Sequence, residues 1–83
     1  MSVIKGELVR VVAGKYKGLV MAVVEPNEAS VFVSDGRHRK LDKPKKLNPK
    51  HIERLEAMLE KEVSEYTNKS LWKEIQTNVR LDR

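Results

Sequence analysis

The sequence predicts a small single domain that is mainly β, with a helix near its C-terminus. Its 83 residues are 40% hydrophobic and 35% charged, a composition too apolar for a disordered chain and too charged for a membrane protein. Short runs rich in β-branched residues fill the first half of the chain, which is typical of strands. The last segment has apolar residues three or four positions apart, which indicates an amphipathic helix.

Three strands are predicted before residue 35. Residues 8–12 are rich in valine and alternate around Arg10. Residues 19–24 form an uninterrupted apolar run, as expected for a more buried strand, and Pro26 closes it. Residues 30–34 give the third strand, because valines there alternate with a phenylalanine.

A tight hairpin is predicted after the third strand. Asp35-Gly36 suits the positive φ of a two-residue type I′ turn. Such a turn would fold residues 37–41 back as a fourth strand in register with the third. Because side chains alternate along a strand, Arg37 and Arg39 would then share one face of the sheet.

The stretch after residue 48 has two interpretations. Asn48-Pro49 is a good helix start, and apolar residues follow at helical spacing from Ile52 to Tyr66. The competing interpretation is a fifth short strand over residues 50–55, with helix only afterwards. Periodicity alone favours the helix.

A final helix is predicted over residues 70–79. Ser70 can cap it, and Leu71, Ile75 and Val79 form an apolar stripe together with Trp72. Packing of Trp72 against the rest of the fold is the favoured role for this side chain, and binding of a partner is the alternative.

Positive charge is concentrated in the first half of the chain. Residues 1–52 carry a net charge of +6, whereas residues 53–83 carry −1. Residues 35–50 read DGRHRKLDKPKKLNPK, in which seven Lys or Arg stand against two Asp. Such a segment either contacts phosphates or only keeps the protein in solution.

Several classes of function are not expected from the sequence. Cysteine is absent, which excludes disulfides, thiolate nucleophiles and zinc–thiolate sites. His38 and His51 are too few for a metal site, and turn chemistry already explains Asp35 beside His38, so no enzyme, cofactor or small-molecule substrate is predicted. The longest apolar run is too short to cross a bilayer, and no signal segment is seen, so a cytoplasmic protein without membrane partners is expected.

Residues 6–24, GELVRVVAGKYKGLVMAVV, resemble the KOW motif, in which a strand, a loop with glycines at Gly14 and Gly18, and an apolar strand follow one another. SDGRHRKL and KKLNPKHI follow in an order similar to that of small KOW-domain RNA-binding proteins related to archaeal and eukaryotic large-subunit ribosomal proteins. The resemblance covers residues 3–55. It implies an SH3-like β-barrel whose loops contact RNA, and it favours the fifth strand, which would close that barrel.

Together these observations predict a KOW SH3-like barrel over residues 1–55 and a helical C-terminal extension over residues 56–83 that packs on it. The predicted function is noncatalytic binding to structured, ribosomal RNA in translation, with ribosomal proteins as further partners. An SH3-like protein–protein interaction module is the alternative, because fold alone does not fix function.

The predicted RNA contacts come from the glycine-containing loop and the basic segment. Lys15 and Lys17 flank Tyr16, whose ring would stack on a base or pack against the barrel rim. His51 would donate a hydrogen bond to RNA or to a carbonyl group. The predicted RNA-binding residues are Lys15, Tyr16, Lys17, Arg37, His38, Arg39, Lys40, Lys43, Lys45, Lys46, Lys50 and His51.

Overall fold

The computed structural model describes residues 3–81, which form one five-stranded antiparallel sheet and one long C-terminal helix. This confirms the mainly β class with a C-terminal helix that the sequence predicts. Two single 3₁₀ turns, Pro49–His51 and Val63–Glu65, interrupt the connections. The regular elements are β1 (Glu7–Val11), β2 (Val20–Pro26), β3 (Val31–Ser34), β4 (Lys45–Leu47), β5 (Ile52–Met58) and α1 (Asn68–Leu81).

The strand order is β4-β3-β2-β1-β5, so the fifth strand returns to lie beside the first. Leu8 pairs with Ala22 across β1 and β2, and Val11 pairs with Ile52 across β1 and β5. In this order β4 and β5 are the two edges, and the sheet is open. The fifth strand therefore does not close the sheet into the expected barrel.

Both faces of β1 and β2 are buried, as their valine-rich sequences require. One face packs against α1, with Leu8 and Ala22 in the same apolar cluster as Leu71 and Ile75 of the helix. Register shifts in the β1–β5 and β2–β3 pairings bend the strands, and the curled sheet encloses the other face. That second cluster consists of Val9, Val11, Met21, Val23, Val31, Val33 and Leu47.

The predicted fourth strand is wrong. Residues 37–41 form a loop, and the fourth strand begins later, at Lys45, where it pairs with Val33 of β3. A type I′ turn needs a positive φ at both central residues, yet of Asp35 and Gly36 only the glycine has one, +80°. The register that was expected to place Arg37 and Arg39 on one face of the sheet therefore does not exist.

The two interpretations of the stretch after residue 48 each hold in part. Asn48 does cap a turn, since its side chain accepts a hydrogen bond from the N–H of Lys50 at 2.9 Å, but the turn is a single 3₁₀ turn. The chain then becomes extended, and β5 runs through residue 55, where the sequence suggested a boundary, as far as Met58. The strand expectation is confirmed, and the long helix from Pro49 is wrong. The α-helix expected directly after the strand is also wrong in its start, because α1 begins only at Asn68.

The final helix begins two residues earlier than predicted because Thr67, not Ser70, caps it. The hydroxyl of Thr67 accepts from the N–H of Ser70 at 3.1 Å, and the hydroxyl of Ser70 accepts from the N–H of Thr67 at 2.9 Å. This reciprocal pair has the pattern of a capping box, with Ser70 in the place of the usual Glu or Gln. In residues 3–81, no helix has the length and apolar character needed to cross a bilayer.

The segment between β5 and α1 is tied to the helix. Tyr66 donates its hydroxyl hydrogen to Glu74 of α1 at 2.5 Å, and the N–H of Glu60 donates to the same carboxylate at 2.8 Å. Burial, followed by the hydrogen bond to Glu74, raises the pKa of Tyr66 from 10.0 to about 12. These bonds hold the connecting segment against α1, and α1 carries one part of the candidate site.

Candidate functional site

The loop between β1 and β2, residues 12–19, is termed the glycine loop. Backbone bonds close it: the N–H of Gly18 donates to the carbonyl of Val11 at 2.7 Å, and the N–H of Val11 donates to the carbonyl of Leu19 at 2.9 Å. Gly14 has a φ of +86°, and a Cβ added there would find nothing within 4 Å. Glycine is needed at this position for backbone conformation and not for space.

The loop that follows β3, residues 35–44, is termed the anchored loop. Its first residue, Asp35, has a fully buried side chain. The carboxylate oxygen Oδ1 of Asp35 accepts hydrogen bonds from the backbone N–H groups of Arg37, His38 and Arg39 at 2.9, 2.8 and 3.1 Å. The loop is therefore wrapped around one buried acceptor, in the manner of an extended Asx turn.

The other carboxylate oxygen of Asp35 lies 2.7 Å from Nδ1 of His38. Burial would raise the pKa of Asp35, but the hydrogen bonds from His38 and from the backbone outweigh it and hold the pKa below its ordinary value. An ionised carboxylate can only accept, so Nδ1 of His38 carries the hydrogen in this contact. The imidazole is thereby held in place, and Nε2 is the nitrogen left to meet a ligand.

The anchored loop also contacts the start of α1. A Cβ added to Gly36 would lie 2.1 Å from the carbonyl oxygen of Asn68, so the two backbones approach as closely as glycine allows. The side chain of Asn68 accepts a hydrogen bond from the N–H of Leu41 at 2.7 Å. Ser34 closes the turn itself, donating to the carbonyl of Arg39 at 2.6 Å. The loop and the helix thus hold each other.

Three rings from three elements meet at this junction: Tyr16 of the glycine loop, His38 of the anchored loop and Trp72 of α1. The ring centroids of Tyr16 and His38 are 6.4 Å apart, and those of His38 and Trp72 are 5.6 Å apart, both pairs edge to face. The Arg37 guanidinium lies 5.1 Å from the Trp72 centroid, and the Lys15 ammonium lies 5.6 Å from that of Tyr16. These five residues are termed the aromatic row.

Two other predicted RNA-binding side chains, those of Arg39 and Lys40, contact the backbone of the anchored loop itself. The guanidinium of Arg39 donates to the carbonyls of Lys43 and Pro44 at 3.0 and 3.1 Å, which braces the second half of the anchored loop. The ammonium of Lys40 lies 3.4 Å from the carbonyl of Gly36. Arg39 therefore has a structural role that its place in a basic run did not suggest.

Four other predicted RNA-binding residues lie outside the two loops and α1. Lys45 and Lys46 lie on β4, and Lys50 and His51 lie on the 3₁₀ turn, whose end is joined to the glycine loop by the N–H of Val12, which donates to the carbonyl of His51 at 2.9 Å. The predicted Lys and Arg residues with exposed side chains are Lys15, Lys17, Arg37, Lys40, Lys43, Lys46 and Lys50.

Trp72 was not among the predicted site residues, because it was grouped with the apolar stripe of the last helix. Leu71 and Ile75 of that stripe are fully buried, whereas Trp72 is only half-buried. The signal was present in the spacing, since Leu71, Ile75 and Val79 are four residues apart and Trp72 is displaced by one position. A side chain there lies at the border of the buried face.

The row combines aromatic faces with cations, a combination suited to ligands that have both planar rings and negative charge. Among residues 3–81, no three His, Asp or Glu side chains are grouped so as to hold a metal ion. Asp35 and His38 form a carboxylate–imidazole pair, but the carboxylate also holds three backbone N–H groups, which accounts for its position.

Comparison with models of known protein families gives no matching family, and comparison with curated protein sequences gives no match. The resemblance of residues 3–55 to KOW-domain proteins stays a prediction.

Proposed function

We propose that this protein is a noncatalytic RNA-binding module with a KOW-type, SH3-like fold that docks on structured, ribosomal RNA. The observation that carries the proposal is the contact between Tyr16 and His38, whose centroids are 6.4 Å apart. This contact joins the glycine loop to the anchored loop. Two segments that the sequence marks separately as basic therefore form one surface.

The charge on this surface supports RNA as the ligand. Lys15, Lys17, Arg37 and Lys43 are exposed on the two loops, and Lys46 extends the positive charge onto β4. Each cation that neutralises a phosphate releases a condensed counterion, which favours binding. The return of β5 to a place beside β1 supports the finer SH3-like assignment, although the sheet is open at its edges.

The rival proposal, a protein-interaction module, has less support. In that alternative the apolar stripe of the last helix or an edge strand binds the partner, and the basic face meets an acidic protein. The stripe does not fit this role, because Leu71 and Ile75 are buried in the core of the protein itself, whereas β4 and β5 are edge strands. Arg37 and Lys15 lie over the rings of the row, so a cationic peptide would be repelled there and only an acidic partner would suit this surface.

The salt dependence of RNA binding tests the proposal. The affinity for a ribosomal RNA fragment should fall with salt, with a log–log slope of about −0.7 to −0.9 for each phosphate neutralised. Replacing Lys43, Lys45 and Lys46 together with alanine should reduce that slope by about two units.

A matched control removes three exposed lysines from the other half of the chain, Lys61, Lys69 and Lys73. This triple variant changes the net charge equally, but it should alter the slope by less than about one unit. Equal effects of the two triple variants would mean that the surface formed by Lys43, Lys45 and Lys46 does not contact the RNA. Absence of RNA binding by the unmodified protein in low salt would refute the proposal itself.

A further inference from the structure

We propose that the aromatic row binds unpaired RNA bases, so that the protein selects a loop, bulge or single-stranded segment within its RNA. This inference rests on the proposed function and specifies which part of an RNA meets Tyr16, His38 and Trp72. It gives Trp72, from the helix that follows the KOW-like region, a role in the ligand contact.

The spacing of the rings favours bases that are separated from one another. Their centroids are 6.4 and 5.6 Å apart along the row, whereas successive bases in a helical stack are separated by about 3.4 Å. A continuous base stack therefore cannot place consecutive bases on consecutive rings. Bases that are splayed apart can each lie on a separate ring, and such bases occur in unpaired RNA.

The orientation of the rings leaves aromatic faces for stacking. Tyr16 and His38 meet at an interplanar angle of 65°, and His38 and Trp72 meet at 61°. In an edge-to-face pair, the ring that presents its edge keeps its own faces for other contacts, unlike a ring in a parallel stack. One ring of each pair therefore has faces that the neighbouring ring of the row does not cover, and a base can stack there because every base has an aromatic face.

The row is held in place before any ligand arrives. His38 is fixed by the 2.7 Å contact of its Nδ1 with the buried Asp35 carboxylate, yet 38% of its side chain is exposed. Tyr16 packs partly against the enclosed core of the sheet, and Trp72 is half-buried beside the core residue Leu71. Little side-chain entropy of the three rings therefore remains to be lost on binding.

The cations of the row fit the same ligand. The Arg37 guanidinium lies 5.1 Å from the centroid of Trp72, and its planar outer face can in turn take a base while its N–H groups reach a phosphate. Lys15 lies over Tyr16 in the same way, as a point charge. A paired A-form helix can meet these charges, but its base faces are covered, so it cannot use the rings.

Two RNAs test this inference: a single strand of about 12 nucleotides rich in uridine, and a duplex of the same length. The wild-type protein should bind the single strand more tightly at equal salt. Trp72 is the only tryptophan, so its fluorescence should be quenched by the single strand and much less by the duplex. This measurement needs no variant.

Trp72→Leu and Tyr16→Leu should each weaken binding to the single strand about tenfold and leave duplex binding within about twofold, since one stacking contact is lost. Trp72→Phe should retain part of the affinity because a ring remains. Phe32→Leu is the matched control, since it removes a half-buried aromatic ring from β3. It should leave both affinities unchanged, and circular dichroism melting shows which variants are folded.

The outcomes separate this inference from the proposed function. If the duplex binds as tightly as the single strand and leaves Trp72 equally quenched, the row does not select unpaired bases, while RNA binding itself stands. If folded Trp72→Leu and Tyr16→Leu lose affinity for both RNAs alike, stacking on the row is overturned in the same way. If neither RNA binds the wild type in low salt, both proposals fail.

Discussion

The two loops that meet at the aromatic row are held by different means. The glycine loop, residues 12–19, is closed by its own backbone, and Gly14 faces open space. The anchored loop, residues 35–44, depends on a buried carboxylate and on the start of α1, against which Gly36 lies in close contact. Two basic, glycine-containing loops therefore differ in what their glycines need: Gly14 needs only a backbone conformation, whereas Gly36 also needs close contact with a partner element.

The largest difference is expected between alanine substitutions at the two glycines. Both positions have a positive φ, so left-handed strain should lower the free energy of unfolding of each alanine variant by about 1 to 2 kcal/mol. At Gly36 the new Cβ would also meet the carbonyl oxygen of Asn68 at 2.1 Å, and the backbones must separate. Gly36→Ala should therefore lower the free energy of unfolding by about 3 kcal/mol or more. Urea titration measures both, and equal losses would disprove the close approach.

Removal of the buried charge should have the next largest effect. Asp35→Asn should lower the free energy of unfolding by about 2 kcal/mol near pH 7, because the ionised acceptor of three N–H groups and of His38 is lost. Asp42→Asn, at an exposed position of the same loop, is the control and should change it by less than about 0.5 kcal/mol.

Asp35→Asn should also change how the stability of the protein depends on pH in the acidic range. The pKa of Asp35 is lower in the folded protein than its ordinary value of 3.8, so its contribution is complete above that value and is lost as the pH falls through the folded pKa. Stability measured from pH 5 downward should therefore decline less steeply in Asp35→Asn than in the wild type. Identical acid profiles would show that this carboxylate is not preferentially ionised in the fold.

A smaller effect is expected at the contact between the anchored loop and the helix. Asn68→Ala removes the acceptor for the N–H of Leu41 and should cost about 1 kcal/mol. Asn68→Asp keeps an acceptor at the start of α1 and should restore most of the loss. Asn78→Ala, later in the same helix, removes only a bond from the Asn78 amide to the Glu74 carbonyl within the helix, and it should be close to neutral because alanine favours helices. A lower melting temperature for Asn78→Ala than for Asn68→Ala would contradict the contact between Asn68 and Leu41.

The smallest effect on stability is expected in the glycine loop. Lys15 is exposed, so Lys15→Ala should change the free energy of unfolding by less than about 0.5 kcal/mol. It should still reduce the salt slope of RNA binding by about 0.7 to 0.9, as one lost phosphate contact requires. A normal slope in this variant would leave the glycine loop outside the RNA surface.

Elements that depend on local sequence patterns were predicted, and elements that depend on contacts between distant residues were not. β1, β2 and β3 were predicted to within two residues because their apolar patterns reflect burial directly. The strand at residues 37–41 was not, because Asp-Gly signals a turn without specifying which kind. The turn is held in part by local bonds from backbone N–H groups to the Asp35 carboxylate. It is also held by Asn68, 27 residues after Leu41 in the chain, and no local pattern contains that contact.

The predictability of the site has the same limit. Charge and glycine spacing identified Lys15, Tyr16, Arg37 and His38, all four of which meet in the row. That Trp72 completes the row depends on how α1 lies against the anchored loop, which only the tertiary structure shows.

The short β4 has a consequence for the protein when no ligand is bound. An edge strand presents unpaired N–H and C=O groups to which another chain can add a strand, and β4 is such an edge. It is only three residues long, and two of them, Lys45 and Lys46, are lysines, which oppose the approach of an identical edge by charge repulsion. The lysines that we propose to meet phosphates thus also act as gatekeepers against self-association, and a variant that lacks them should form aggregates at lower protein concentration.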